Sequence, residues 1–410
     1  MSRVKPALNV TLADIQEARK EIQKHLPPSP LLYNPWLSDA LECRVYLKLE
    51  NMQPIGSFKI RGATYKISQL SRKQKSQGVI AASAGNHAQG VAWASAKLGT
   101  HACIVMSKSA SIMKIQNTQS LGAQVILQGQ NYDQACAYAK KVSRKQGRIL
   151  IHAFDDPEII AGQGTVALEI LEQLPQVDYV VGSVGGGGLM SGVATVFEGL
   201  SPKTQVVACQ AARASSMIQS IRKGRSITLE SVDTFADGIA VMKASDRIRR
   251  FLSGKIDEWV EVEEDAIAAS VLMLIEKAKI IAEGSCAVPL AALEQLKKKI
   301  RGKKVVLIIS GGNIDVNLLS RIIDRGLVCT GRRVRLNVLL ADRPGSLAKL
   351  TSVIAQQGAN ILQAIHDRNE PSVQIDQTDV ALTLETRGVQ HTQELLKELR
   401  KIVLRLEVVR

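Results

Sequence analysis

The sequence predicts an α/β protein in two parts, a large region of parallel sheets covered by helices and, after it, a small ferredoxin-like βαββαβ module. Three observations predict this. Between about residues 45 and 310, short β-branched runs alternate with longer amphipathic segments. Glycines and other small residues stand where several of those runs turn into helices. Near Cys329 the texture changes to strands that alternate residue by residue around two helical segments. A chain of 410 residues also exceeds one ordinary core, so at least two domains are expected.

In order along the chain, 79–82 reads as a strand and 87–98 as a helix that Gly99 ends. Strands at 101–106, 124–127 and 149–154 are separated by helices at 111–121 and 132–144. Pro157-Glu158-Ile159-Ile160 looks helical, strands at 179–184 and 206–209 flank a helix over 189–198, and 304–310 is a last apolar strand. This alternation makes parallel sheets buried on both faces. In the small module, 334–340 is a strand and 344–357 a helix ended by Gly358. Strands at 360–365 and 380–384, a helix over 392–402 and a strand at 404–409 complete it. The boundary falls near Thr330-Gly331, giving domains 1–331 and 332–410.

Composition narrows the function. With 3% aromatic residues the chain has no platform for stacking single-stranded bases. The net charge of +15 is dispersed, and its densest run, Lys297-Lys298-Lys299 with Arg301, Lys303 and Lys304, reads as a helix end and loop. A general pull on anionic ligands is expected, not nucleic-acid binding. No apolar run reaches membrane-spanning length, and Met1-Ser2-Arg3-Val4-Lys5 is not followed by the apolar stretch of a signal peptide. A cytoplasmic location away from membranes is therefore expected. Six cysteines without a Cys-x-x-Cys pair read as reduced, buried thiols rather than a disulfide or zinc framework.

Gly56-Ser57-Phe58-Lys59-Ile60-Arg61-Gly62 places one lysine in a small-residue turn between a short strand and a helix. A lysine with a lowered pKa forms a Schiff base with an aldehyde cofactor and moves protons; a first-turn lysine also fits a solvated surface. Ser83-Ala84-Gly85-Asn86-His87 stands at a strand-to-helix turn, where free N–H groups suit a carboxylate; Asn86 as a plain cap is the alternative. His87 has no second metal ligand at helical spacing, so a hydrogen-bonded histidine is expected. Gly185-Gly186-Gly187-Gly188-Leu189 follows a strand and opens a helix, a costly run whose N–H groups form a nest for a phosphate. It fits neither Gly-x-Gly-x-x-Gly nor a P-loop. Gly162-Gln163-Gly164-Thr165-Val166-Ala167 does match the dinucleotide fingerprint but follows a helix, so the match is dismissed. Ser310-Gly311-Gly312-Asn313 ends the last parallel strand, where Ser310 either presents a hydroxyl to a ring nitrogen or caps a helix.

Taken together, Ser57-Phe58-Lys59-Ile60-Arg61-Gly62, the Ser83–His87 turn, the tetraglycine loop and Ser310-Gly311-Gly312-Asn313 occur in an order that resembles the fold-type-II pyridoxal-phosphate enzymes, and among them the threonine dehydratases. The resemblance covers nearly all of residues 5–325. It implies a tryptophan synthase β-like fold of two parallel-sheet subdomains, the smaller at about 55–153. Residues 332–410 resemble an ACT domain, with Asp342-Arg343-Pro344-Gly345-Ser346-Leu347 and Gly358-Ala359-Asn360-Ile361 at its two diagnostic places.

The resemblance assigns roles. Lys59 would hold pyridoxal 5'-phosphate and later remove the substrate's Cα proton, with Phe58 beside the cofactor and Asn86 on its ring hydroxyl. Gly185, Gly186, Gly187 and Gly188, with Leu189, would grip the phosphate, and Ser310 would face the pyridine nitrogen. Ser83, Ala84, Gly85, Asn86 and His87 would seat the substrate carboxylate, with Gly238 joining the substrate site. The implied reaction is β-elimination of L-threonine to 2-oxobutanoate and ammonia, with L-serine to pyruvate a weaker activity. Asp342, Gly345, Ser346, Leu347, Asn360, Ile361 and Leu362 are the implied contacts of an amino-acid effector, where the first loop meets a neighbouring chain's helix. A homotetramer is expected from the family. An ACT module that only builds oligomers is the alternative.

Two departures from relatives matter. Serine racemases carry an acid/base serine where this chain has Ala84, so elimination is expected over racemisation. Some relatives bind a divalent cation through carboxylates just after the strand that follows the tetraglycine helix. Here that segment is Gln210-Ala211-Ala212-Arg213-Ala214-Ser215-Ser216, so no tightly held Mg²⁺ or Ca²⁺ is expected. Competing readings are a racemase or a hydroxyaspartate ammonia-lyase, and, in another class, an amino-acid sensor with a degenerate catalytic half. Isoleucine biosynthesis and threonine breakdown are not distinguished.

Overall fold

The computed structural model describes residues 8–368 and 373–409. The N-terminal pentapeptide read for a targeting signal lies outside the described residues. The chain forms two compact units that divide between Val316 and Asn317. That division is at the start of the helix Val316–Cys329, whereas the sequence boundary lies just past its end.

The first unit holds two sheets. The larger has six strands, in the spatial order Leu31–Tyr33, Arg44–Leu49, Lys304–Ile309, Tyr179–Ser183, Gln205–Ala211 and Glu258–Val262. All pairs are parallel except the first. The smaller sheet is wholly parallel, in the order Gln124–Leu127, Ala102–Met106, Val79–Ala82, Ile149–Leu150. Central strands such as Ala102–Met106 are buried at every residue, as a sheet covered on both faces requires. The strand expected at 149–154 stops at Leu150. The reason is local: the ring Nδ1 of His152 accepts the N–H groups of Phe154 and Asp155 at 3.2 and 2.9 Å, closing a turn instead of a ladder.

The dismissed fingerprint lies inside the helix Pro157–Gln173, whose N-cap is Asp156. Its glycines serve close helix crossings. A methyl group on Gly162 would lie 2.6 Å from the Cα of Gly62, and one on Gly192 would lie 2.6 Å from the Cα of Gly164. This helix thus packs tightly on both Lys59–Ser68 and Gly188–Leu200, the two helices that begin at the lysine and at the glycine loop.

A buried ionic cluster fixes the first of them. Arg61 donates from Nε to Glu50 at 2.7 Å and from Nη1 and Nη2 to Glu169 at 2.8 Å, and Lys48 donates to Glu169 at 2.7 Å. All four side chains are fully buried. Burial pushes the Glu169 carboxyl up, but Arg61 and Lys48 outweigh it and hold it down to about 2.

The second unit carries a four-stranded antiparallel sheet in the order Asn360–Asp367, Gln377–Glu385, Arg333–Ala341, Arg405–Val409. Alternate residues Val334, Leu336, Val338 and Leu340 meet Leu350 and Ile354 of the helix Ser346–Gln356 and Leu395 and Leu399 of the helix Val389–Leu399. The first helix begins at Ser346 rather than 344 because Gly345, at φ +90°, makes a left-handed turn before it.

Candidate active site

Lys59 is the first residue of its helix, and the turn before it is held by a distant part of the chain. The N–H of Phe58 donates to the Ser310 carbonyl at 3.0 Å, and the N–H of Gly312 donates to the Gly56 carbonyl at 2.9 Å. Ser57 and Gly311 form a β-bridge between them. This brings Lys59 and Ser310 to one place beyond the carboxyl end of the strand Lys304–Ile309. The Lys59 amine donates to the Ala153 carbonyl at 3.0 Å and lies 5.1 Å from the centre of the Phe58 ring. Burial pushes its pKa down to about 8, against the opposing charge of Glu283.

The glycine loop is a tight cradle. Gly187 has φ +88°, and a methyl group there would lie 2.6 Å from Ile248. A methyl group on Gly186 would overlap the Phe154 ring, and one on Gly188 would lie 3.1 Å from the Phe154 Cα. Gly185 lies similarly against Ile239, and Leu189 is buried in the first helical turn. Among the described residues, no hydrogen bond takes up the N–H groups of Gly185, Gly186 or Gly187.

Asn86 opens the helix Asn86–Lys97, but its amide is engaged within the protein. Nδ2 donates to the two Glu283 oxygens at 3.1 and 2.9 Å, and Oδ1 accepts from Asn313 at 2.8 Å. The N–H of Gly85 donates to Ser83 Oγ at 3.2 Å, and Ala84 packs on the core of the small sheet. His87 is buried, with Nε2 bonded to the Ile151 carbonyl at 3.1 Å. Burial, with Lys59 nearby, pushes its pKa down to about 3, so it is neutral. Gly238 stands against the same group: a methyl there would lie 2.6 Å from Ser285 Oγ and 2.7 Å from Glu283.

Glu283 was not singled out from sequence, yet it is the hub of this wall. It is buried at the N-cap of the helix Gly284–Ile300 and accepts from Asn86 and, at 2.5 Å, from Ser285. Burial raises its pKa and Asp237 adds to this, while Ser285, Asn86 and Cys286 oppose. Cys286, also missed, lies with Sγ 3.0 Å from Ser310 Oγ and accepts the Gly311 N–H at 2.8 Å. In sequence, an acidic residue before Gly284-Ser285 reads only as a helix cap.

Residues 22–311 match the pyridoxal-phosphate dependent enzyme family, and residues 334–403 match the ACT domain. The chain belongs to the pyridoxal-phosphate-dependent enzymes. It is similar to the L-threonine ammonia-lyase of Thermotoga maritima, at 46% identity over 94% of this chain and 96% of that one. Among solved structures it is similar to the processed form of threonine deaminase isoform 2 from Solanum lycopersicum, at 37% identity and a TM-score of 0.73, covering 78% of this chain and 96% of that one. It is also similar to the serine racemase of Dictyostelium discoideum, at 34% identity and a TM-score of 0.71, covering 75% and 99%.

The cofactor of this pyridoxal-phosphate enzyme is pyridoxal 5'-phosphate, and the residues present fit it. A primary amine with a lowered pKa suits its aldehyde. Free N–H groups at glycines whose Cβ positions are filled by neighbours suit its phosphate. Among the described residues, no three His, Cys, Asp or Glu side chains stand together as a metal site.

The ACT contacts are not brought together within one chain. Asn360 and Ile361 pair with Glu385 and Leu384, at the Arg333 end of the sheet. Asp342, Gly345, Ser346 and Leu347 follow Ala341 at the other end, roughly 25–30 Å away at the ordinary rise of a strand. Leu362 lies at a register shift and is exposed, while Asp342 pairs with Arg368 at 3.1 Å. Among the described residues, no helix is long and apolar enough to cross a membrane.

Proposed function

We propose that the chain is an L-threonine ammonia-lyase that converts L-threonine to 2-oxobutanoate and ammonia, with L-serine to pyruvate a weaker activity. The reaction balances without net water, because the water lost with the β-hydroxyl is returned when the enamine product hydrolyses. The observation that carries the reading is the meeting of Lys59 and Ser310, clamped by the bonds between 56–58 and 310–312. The relatives named above as a threonine ammonia-lyase and a threonine deaminase support it.

When bound, the cofactor supplies an electron sink for negative charge at the substrate Cα. Lys59 would hold it through Nζ, and once the substrate's amine has displaced Nζ from the aldehyde carbon the freed amine would take the Cα proton. A pKa near 8 keeps a useful fraction of neutral amine near neutral pH. The Ala153 carbonyl aims that amine, and Phe58 shields it. Ser310 offers the ring nitrogen a neutral hydroxyl, which limits charge storage on the ring and favours prompt loss of a β-leaving group. Gly185 to Gly188 hold the phosphate. The turn from Ser83 to His87 receives the substrate carboxylate on backbone N–H groups, while neutral His87 acts as a support.

The serine racemase neighbour makes racemisation the second reading. Ala84 has no proton to give on the face opposite Lys59, so chiral analysis of L-serine reactions should show pyruvate and no D-serine. The main test is Lys59→Ala, which should abolish 2-oxobutanoate formation and the visible-edge absorbance of the bound cofactor. Retained product formation would overturn the assignment.

The same reading places the enzyme in the cytoplasm as a homotetramer. Because Asp342–Leu347 and Asn360–Leu362 lie at opposite ends of one sheet, an amino-acid effector would bind where two ACT domains meet. Regulation then depends on assembly.

A further inference from the structure

Gln210 is fully buried near the end of the strand Gln205–Ala211 and takes no part in the chemistry above. Its Nε2 donates to the Val184 carbonyl at 2.9 Å and to the Ala214 carbonyl at 3.2 Å. Its Oε1 accepts the N–H of Ile218 at 2.9 Å. Val184 immediately precedes Gly185. One side chain therefore ties the root of the glycine loop to the turn Ala212–Ala214 and to the helix Ser216–Arg222. The same helix reaches the loop by a second route: Ser216 Oγ donates to the Val241 carbonyl at 2.6 Å, and Val241 would lie 3.4 Å from a methyl group on Gly185.

A run of glycines has more conformational freedom to lose than any other sequence. Unless its surroundings fix it beforehand, that loss is charged against ligand affinity. We infer that Gln210 is a positioning residue that presets the glycine loop for a phosphate, with its amide N–H groups neutralising two inward-facing carbonyl oxygens. The inference rests on the assignment of Gly185 to Gly188 to the cofactor phosphate. The group is chemically specific. A carboxylate at this position would set a negative oxygen against the Val184 and Ala214 carbonyls, an arrangement relieved fully by a hard cation among the oxygens and only in part by protonation, which supplies one donor for two carbonyls. An apolar side chain would leave both carbonyls and the Ile218 N–H without a partner.

The test compares affinities of the resolved enzyme for pyridoxal 5'-phosphate and for pyridoxal, which lacks the phosphate. Gln210→Leu should lower the preference for the phosphorylated form roughly tenfold, the effect of losing one or two buried hydrogen bonds, with pyridoxal binding retained. Gln210→Glu should lose the preference in chelator and regain it in millimolar Mg²⁺ or Ca²⁺, while the unmodified enzyme ignores both. An unchanged preference in both variants would overturn the inference. So would parallel losses of both ligands in both variants without recovery in cation. If the unmodified enzyme itself does not prefer the phosphorylated form, the phosphate assignment fails instead.

Discussion

Replacing Lys59 by methionine should make the cofactor-free protein more stable at neutral pH, even though it removes the proposed nucleophile. Burial brings the amine from 10.5 to about 8, so the folded state binds fewer protons than the unfolded state between those values. Stability from this group therefore rises with pH through that window, and below pH 8 the protonated amine is a full cost to folding. At about 1.4 kcal/mol per tenfold step the cost is ~3 kcal/mol, which solvent at the partly buried site reduces to about 2. Methionine removes that cost, but it also removes the hydrogen bond to the Ala153 carbonyl, worth about 1 kcal/mol at any pH. At pH 7 the variant should thus gain about 1 kcal/mol, and near pH 10.5 it should be the less stable by a similar amount. For a unit of roughly 300 residues, that reversal of ~2 kcal/mol is about 3 °C in Tm. The assay is thermal unfolding of both resolved proteins from pH 7 to 10.5. A stability difference that does not change with pH would refute the account of a desolvated amine.

Glu283→Gln should move Lys59 further down, because the Glu283 charge is what holds its pKa up. The rate of cofactor recombination, which needs the neutral amine, should then level off at lower pH than the value near 8 of the unmodified protein. Gly187→Ala should lose cofactor on gel filtration, since the left-handed backbone and the contact with Ile248 together cost about 2–4 kcal/mol at the loop. Arg61→Met should cost about 3–5 kcal/mol, because Glu50 and Glu169 remain buried and lose their shared partner. Urea unfolding would measure it, and a change below 1 kcal/mol would contradict the role given to the cluster.

The alternation of strands and helices was legible because parallel strands buried on both faces read as unbroken apolar runs, as 102–106 and 304–309 do. The ACT strands were legible for the opposite reason, a clean period of two in 333–341 and 377–385. Other elements were hidden by their chemistry. The helix Gly284–Ile300 contains Pro289, and Gly162 and Gly164 stand inside a helix where propensity argues against glycine. The facing glycines Gly62 and Gly192, with Ile15 against Gly164, explain them, and these are far away in sequence.

The site divides along the same line. Residues whose chemistry is carried by type and local spacing, such as Lys59 in its turn or four consecutive glycines before a helix, could be picked out directly. The electrostatics could not, because they come from groups that the topology alone brings in. Asn86 and Glu283 are separated by 197 positions, and the Phe58 N–H reaches across the sequence to Ser310. Glu283 has two consequences at once. It holds the amide of Asn86, and its charge opposes the desolvation that lowers the Lys59 amine. A change at 283 must therefore shift the Lys59 amine and the asparagine together, whereas a change at Asn86 reaches Lys59 only through Glu283, whose pKa rises further once the Asn86 hydrogen bonds are gone. Comparing the pH at which recombination levels off in Glu283→Gln and Asn86→Ala ranks the two effects: the first removes the charge and should move it furthest down, and the second, which only lets the Glu283 pKa rise, should move it down by less.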